Sequence, residues 1–277
     1  MVYLNGEFVA KADAKISVMD RGFLFGDGVY EVIPVYQRRI FRLDAHLRRL
    51  QKSLDALKIN NPYSPEKWLA LIEVLLGDNP SDTQSIYLQI TRGADQKRAH
   101  RFNELTPSVY IESNPLVPKT QQQLTQGFAA ITQADIRWGR CDIKATSLLA
   151  NVLYSQQAKE ANVEEVILYR DELITEGASS NVFMIKNDTL FTHPTNQHIL
   201  AGITRDLVLE SAKACQIKIK ESGFSRQDLT TADELWISSS TREVMPITRI
   251  DGCEISQGKI GQYWHQVYQH YQQLKHG

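Results

Sequence analysis

The sequence predicts two α+β domains, and three observations carry that expectation. The chain of 277 residues, 42% of them hydrophobic, is long enough to bury two cores. Runs of period two, such as Ile86-Tyr87-Leu88-Gln89-Ile90, read as strands and stand between stretches of helical periodicity. Between the halves, Asn114-Pro115-Leu116-Val117-Pro118-Lys119-Thr120 carries two prolines and no period, as linkers do. The expected division is a small N-terminal domain over 1–114, a linker over 115–120 and a larger C-terminal domain over 121–277 that carries Lys144.

Taken in order, Tyr3-Leu4 and Phe8-Val9 flank Asn5-Gly6, a strong hairpin turn signal. Residues 29–36 and 39–41 read as two strands around Gln37-Arg38. Asp44 is placed to cap a helix in which Leu47, Leu50, Leu54 and Leu57 share one face. Ser64 caps the next helix, with Pro65 at its first position, and the pattern runs to about residue 76. Residues 109–111 form a further strand. In the second half, strands are expected over 128–132, 165–169, 181–186 and 234–238. Helices are expected over 147–161, 203–215 and 260–274.

Composition excludes several classes of function. A formal net charge of −1 gives no electrostatic footprint for nucleic acid or an anionic membrane. No apolar run approaches the length of a membrane span, and Met1-Val2-Tyr3-Leu4-Asn5-Gly6 lacks the regions of a signal peptide. Cys141, Cys215 and Cys253 are odd in number and far apart, with no C-x-x-C pair to hold a metal or a redox couple. A reducing cytoplasm is the expected compartment.

Three places carry chemistry. Lys144 is the only lysine between Lys119 and Lys159, in a largely apolar neighbourhood. Burial disfavours an ammonium and makes the amine nucleophilic; equally, a lysine can bury its stem and send its head to water. Gly202-Ile203-Thr204-Arg205 opens a helix whose N–H groups suit an anion, and Ser238-Ser239-Ser240-Thr241 adds hydroxyls at a strand end. Together they could hold one phosphate, although serine loops and threonine caps are common. Glu176, followed by the small residues Gly177-Ala178-Ser179-Ser180, is either a carboxylate approached closely by something flat or an exposed turn residue.

The order of these motifs is more informative than any one of them. A lysine, then Glu176-Gly177-Ala178-Ser179-Ser180-Asn181-Val182-Phe183, then Leu200-Ala201-Gly202-Ile203-Thr204-Arg205, then Ser238-Ser239-Ser240-Thr241-Arg242-Glu243-Val244-Met245-Pro246 resembles the fold type IV pyridoxal-phosphate aminotransferases. The resemblance spans nearly the whole chain and implies that family's two-domain α+β fold. It implies pyridoxal 5′-phosphate as cofactor, with Lys144 as the catalytic lysine that links to it covalently. Glu176 then partners the pyridine nitrogen, Arg49, Ile203, Thr204 and Ser240 hold the phosphate, and Leu200 packs on the ring.

Within that family, Arg98-Ala99-His100 after Thr91-Arg92-Gly93 is similar to the arginine-x-histidine pair of D-amino-acid aminotransferases. There the pair, with a tyrosine matched here by Tyr30, binds the substrate carboxylate across the subunit interface of a homodimer. Ala178 departs from the serine of that branch. The expected reaction is transfer of the amino group of D-alanine to 2-oxoglutarate. The alternatives are an L-branched-chain aminotransferase and an aminodeoxychorismate lyase.

Overall fold

The computed structural model describes residues 1–276. The chain divides into two compact units, Met1–Val117 with Ile143–Leu148, and Pro118–Asp142 with Leu149–Gly277. Each is α+β.

The first unit begins with the hairpin β1 (Val2–Leu4) and β2 (Glu7–Val9). Its turn has φ of 49° at Asn5 and 107° at Gly6, the left-handed backbone that this pair of residues tolerates. Next come α1 (Arg21–Phe25), β3 (Gly28–Tyr36), β4 (Arg39–Ile40), α2 (Leu43–Leu57), α3 (Pro65–Asp78), β5 (Gln84–Thr91) and β6 (Ser108–Pro115). The strands form one antiparallel sheet in the order β2-β1-β6-β5-β3-β4. Val29 pairs with Ile90 and Ile33 with Ile86, so the period-two residues of β3 and β5 line a common face. Leu50 and Leu54 of α2 and Trp68, Ile72 and Leu75 of α3 are buried in the same core as those strands.

Ser64 accepts from the backbone N–H of Lys67, so α3 starts as its sequence signals. α2 does not. Its cap is Arg42, in the left-handed region, with no side-chain cap bond. Asp44 lies one residue inside the helix, where its charge suits the dipole but its side chain closes no cap.

The second unit contains α4 (Gln121–Gln126), β7 (Phe128–Ala134), α5 (Leu149–Glu160), β8 (Glu165–Arg170), β9 (Leu173–Gly177), β10 (Asn181–Lys186) and β11 (Thr189–Thr192). It continues with α6 (Ile203–Ala214), β12 (Lys218–Glu221), α7 (Arg226–Leu229), β13 (Glu234–Ser239), β14 (Glu243–Ile250), β15 (Cys253–Glu254) and α8 (Gln262–His276). Its mixed sheet runs β12-β11-β10-β13-β14-β7-β8-β9, with β15 beside β14. Strands β8, β10 and β14 are buried along most of their length, as expected of a sheet covered on both faces. No helix among the described residues is long and apolar enough to cross a membrane.

Two expectations about the division need correcting. The linker expected at 115–120 is shorter, because Pro115 ends β6 and Thr120 closes a capping box at the start of α4. The lysine segment Ile143–Leu148 belongs to the first unit, not to a C-terminal domain over 121–277. Strand pairing is the cause. Ala145 bridges Val29, and Ile143 and Ala145 are buried in the first unit's core.

Candidate active site

The lysine segment is held on both sides by the stretch 26–30. Tyr30 N–H donates to the Lys144 carbonyl at 3.0 Å and Thr146 N–H to the Gly28 carbonyl at 2.9 Å. The hydroxyls of Thr146 and Ser147 both donate to the Gly26 carbonyl at 3.0 Å. Gly26 is required here, because its φ of 66° is left-handed and a Cβ would lie 2.7 Å from Ser147 Oγ. From α2, Ser53 Oγ accepts from Lys144 N–H at 3.2 Å. Because Ile143 and Ala145 face the core, alternation turns the Lys144 side chain to the other side. It is half-buried, with Nζ 4.1 Å from the Tyr30 ring centroid. Lys144 and Tyr30 are thus brought together.

Arg49 is anchored before it meets any ligand. Its Nε and Nη2 donate to Glu31 Oε1 and Oε2 at 2.8 and 2.7 Å, and His46 Nδ1 donates to Oε2 at 2.8 Å. Glu31 shares the inward face of β3 with Val29 and Ile33, so it is fully buried and needs this pairing. Burial pushes the Glu31 carboxyl up, but the Arg49 charge, with hydrogen bonds from Arg49 and His46, holds it at about 2. Burial pulls the His46 imidazole below its ordinary value despite Glu31 beside it. Neither Glu31 nor His46 was assigned a role from sequence. The signal was present, since a glutamate in register with Val29 and Ile33 on an apolar strand must find a cation.

Arg98 and His100 are exposed. Their side chains gather on Phe25, with the Arg98 guanidinium 5.0 Å and the His100 ring 5.6 Å from its centroid. The contacts of this pair among the described residues run to Phe25 and Arg21, not to Tyr30 or Lys144.

In the second unit, Glu176 on β9 is buried and not an exposed turn residue. Arg137 Nη1 donates to Oε1 at 2.5 Å, while Leu200 N–H and Asn181 Nδ2 donate to Oε2 at 3.0 and 3.2 Å. Burial pushes the Glu176 carboxyl up; the Arg137 charge and these donors oppose that shift. Asn181 Nδ2 also donates to the Leu200 carbonyl at 2.9 Å, which ties Leu200 to the carboxylate. Ile203 and the buried Thr204 form the first turn of α6, whose cap Gly202 has no side chain to close the helix end. Ser240 follows β13 and is half-buried. Sequence reading missed Arg137 and Asn181 as partners of Glu176, and nothing in their local pattern marks them.

Three features of this unit fit a flat, phosphorylated pyridine. An ionised carboxylate has about four acceptor directions, and Glu176 accepts from Arg137, Asn181 and Leu200, so a ring N–H can still be accepted. Ser238 Oγ, paired in register with Asn181, is buried and has no hydrogen-bond partner among the described residues. A buried hydroxyl in that state suits a bound group. The uncapped N-terminus of α6 matches a phosphate.

The family model described as amino-transferase class IV matches residues 28–250. Over 272 residues the chain is 40% identical to a D-alanine aminotransferase of Listeria monocytogenes, covering 98% of this chain and 94% of the relative. It is 42% identical over 271 residues to a D-alanine aminotransferase of Staphylococcus epidermidis, covering 97% and 95%. Among solved structures, the Escherichia coli branched-chain amino acid aminotransferase superposes with a TM-score of 0.91 at 27% identity, covering 99% of this chain and 93% of that one.

Proposed function

Because the chain belongs to the class IV aminotransferase family, we propose that it moves the amino group of D-alanine to 2-oxoglutarate on pyridoxal 5′-phosphate, giving pyruvate and D-glutamate. The observation that carries the choice of substrate is identity of 40–42% to D-alanine aminotransferases over nearly the full chain. The presence of Tyr30, Arg98 and His100 supports it.

When bound, the cofactor supplies an aldehyde that takes up an amino group and a ring that accepts electrons. Lys144 would carry the covalent link to the cofactor and, as a free amine, would serve as the base that moves the proton at the substrate Cα. Ser53 and Tyr30 fix its backbone, so its reach is set by its own side chain alone. Glu176 holds the proton on the ring nitrogen; Arg137 and the Leu200 amide stabilise its charged form for that task. Arg49, Ile203, Thr204 and Ser240 bind the phosphate, and Leu200 packs against the ring. Arg49 is suited to this because Glu31 fixes its guanidinium plane. Tyr30 and the partner subunit's Arg98 and His100 bind the substrate carboxylate, which makes the working enzyme a homodimer. A cytoplasmic setting accords with three free cysteines.

The test offers the purified enzyme D-alanine, L-leucine and aminodeoxychorismate separately. Pyruvate formed from D-alanine only with 2-oxoglutarate present is the expected result. Turnover of L-leucine alone would instead favour the branched-chain activity, and keto-acid-independent pyruvate from aminodeoxychorismate would favour the lyase.

A further inference from the structure

Arg21 opens α1 and is 4% exposed. Its guanidinium makes bonds in three directions. Nε donates to Asp27 Oδ2 at 2.8 Å, Nη1 to the Ala99 carbonyl at 2.6 Å and Nη2 to the His100 carbonyl at 3.1 Å. Asp27 does not need Arg21 for neutrality. Arg92 already binds it through Nε at 2.8 Å and Nη2 at 2.9 Å, and also reaches the Leu57 and Lys58 carbonyls at the end of α2. The outer nitrogens of Arg21 are therefore committed to the backbone of an otherwise exposed loop. Phe25, on the same helix, lies 4.9 Å from the Arg21 guanidinium and carries Arg98 and His100 on its ring.

We infer that Arg21 is the positioning residue of the substrate-carboxylate loop: braced on Asp27, it holds the Ala99 and His100 carbonyls so that Arg98 and His100 keep one orientation, with Phe25 as their platform. The inference rests on the proposed role of Arg98 and His100 as carboxylate ligands. Its physical basis is the planar fork of arginine, which fixes two adjacent carbonyls and a carboxylate at once; a lysine ammonium cannot span them. Bonds from a buried cation are stronger than neutral ones, so they can order a loop containing Lys97, Arg98 and Arg101, whose like charges repel. Ordering lowers the entropy lost when the substrate carboxylate binds.

The test is Arg21→Lys in the cofactor-loaded enzyme, which keeps a cation beside Asp27. KM for D-alanine is expected to rise about tenfold, with kcat within about twofold and cofactor content unchanged, as for a loss of uniform substrate binding. In an Arg98→Ala/His100→Ala background, Arg21→Lys should add nothing further, because the groups it positions are gone. An unchanged KM in the single variant, or a full additional rise in that background, overturns the inference. If Arg98→Ala/His100→Ala itself leaves KM unchanged, the carboxylate-ligand reading fails and this one with it. A rise there without one in Arg21→Lys defeats only the role of Arg21. Should Arg21→Lys not fold, Phe25→Leu decides at the half-buried platform: KM is expected to rise about threefold, and an unchanged KM overturns the inference.

Discussion

Arg137 Nη1 lies 2.5 Å from Glu176 Oε1, with the two side chains 8% and 6% exposed. Asp135 grips the same guanidinium through Nε and Nη2, both at 2.9 Å, and is itself held by Arg170 at 3.0 Å. Glu176 is thus a buried carboxylate with a braced cation beside it. Burial raises its pKa, and Arg137 limits the rise.

Removing that cation should be visible in the pH dependence of turnover. Arg137→Met leaves only the Leu200 and Asn181 donors to oppose burial of the Glu176 carboxyl, so its pKa rises further. Turnover that needs the carboxylate falls as pH drops through that pKa, and the acidic limb of kcat should move to higher pH. At neutral pH, kcat is expected to fall about tenfold or more. Profiles of kcat from pH 5 to 9 check this; coincident acidic limbs would exclude the coupling.

The Glu31 pair predicts acid sensitivity of the fold. A carboxyl held at about 2, against an ordinary 4.5, stabilises the native state above the unfolded value and loses that contribution as pH falls through the folded one. Glu31→Gln removes the contribution and leaves Arg49 and His46 short of an anion. The expected loss near neutral pH is about 3 kcal/mol. Because the wild type loses its Glu31 contribution between pH 4.5 and 2, the stability gap should narrow across that window. Denaturant melts of both proteins at pH 7, 4.5 and 2.5 measure it.

Gly202 is predicted to be intolerant of alanine although its φ of −73° is ordinary. A Cβ there would lie 2.0 Å from Asn181 Oδ1. Asn181 would have to move, breaking its bonds to Glu176 and to the Leu200 carbonyl. Gly202→Ala should lower cofactor affinity about tenfold, on the order of one or two hydrogen bonds. Cofactor titration by absorbance gives the number; unchanged affinity would mean that Asn181 does not support the cofactor.

The homodimer reading predicts complementation. Lys144→Ala and Arg98→Ala subunits, each strongly impaired alone, form heterodimers in which one site carries both lesions and the other neither. Co-expression should recover up to about half of wild-type activity per heterodimer. Verified heterodimers without recovered activity would place both residues in the site of one chain.

Local chemistry made much of the fold legible in sequence. Asn5-Gly6 supplies the left-handed turn, Ser64-Pro65 starts α3, and the alternation of Ile86, Leu88 and Ile90 gives β5. These features depend on backbone sterics, capping and period, all local to the chain. Strands β9, β11, β12, β14 and β15 were not read. β14 is buried on both faces and contains Pro246 and Thr248, so it shows no alternation, and its pairing with β13 and β7 defines it.

The site divides in the same way. Motif order, which the sequence contains in full, is what proposes Lys144, Glu176, Leu200, Ile203 and Ser240. Only tertiary structure decided that Ile143–Leu148 joins the first unit, that Arg137 partners Glu176 from 39 residues away, and that Arg21 holds a loop 78 residues downstream. A buried charge must be neutralised, and sequence can announce that need, as Glu31 does on its apolar strand. The partner is whichever opposite charge the fold carries to within about 3 Å, and no local pattern encodes that choice.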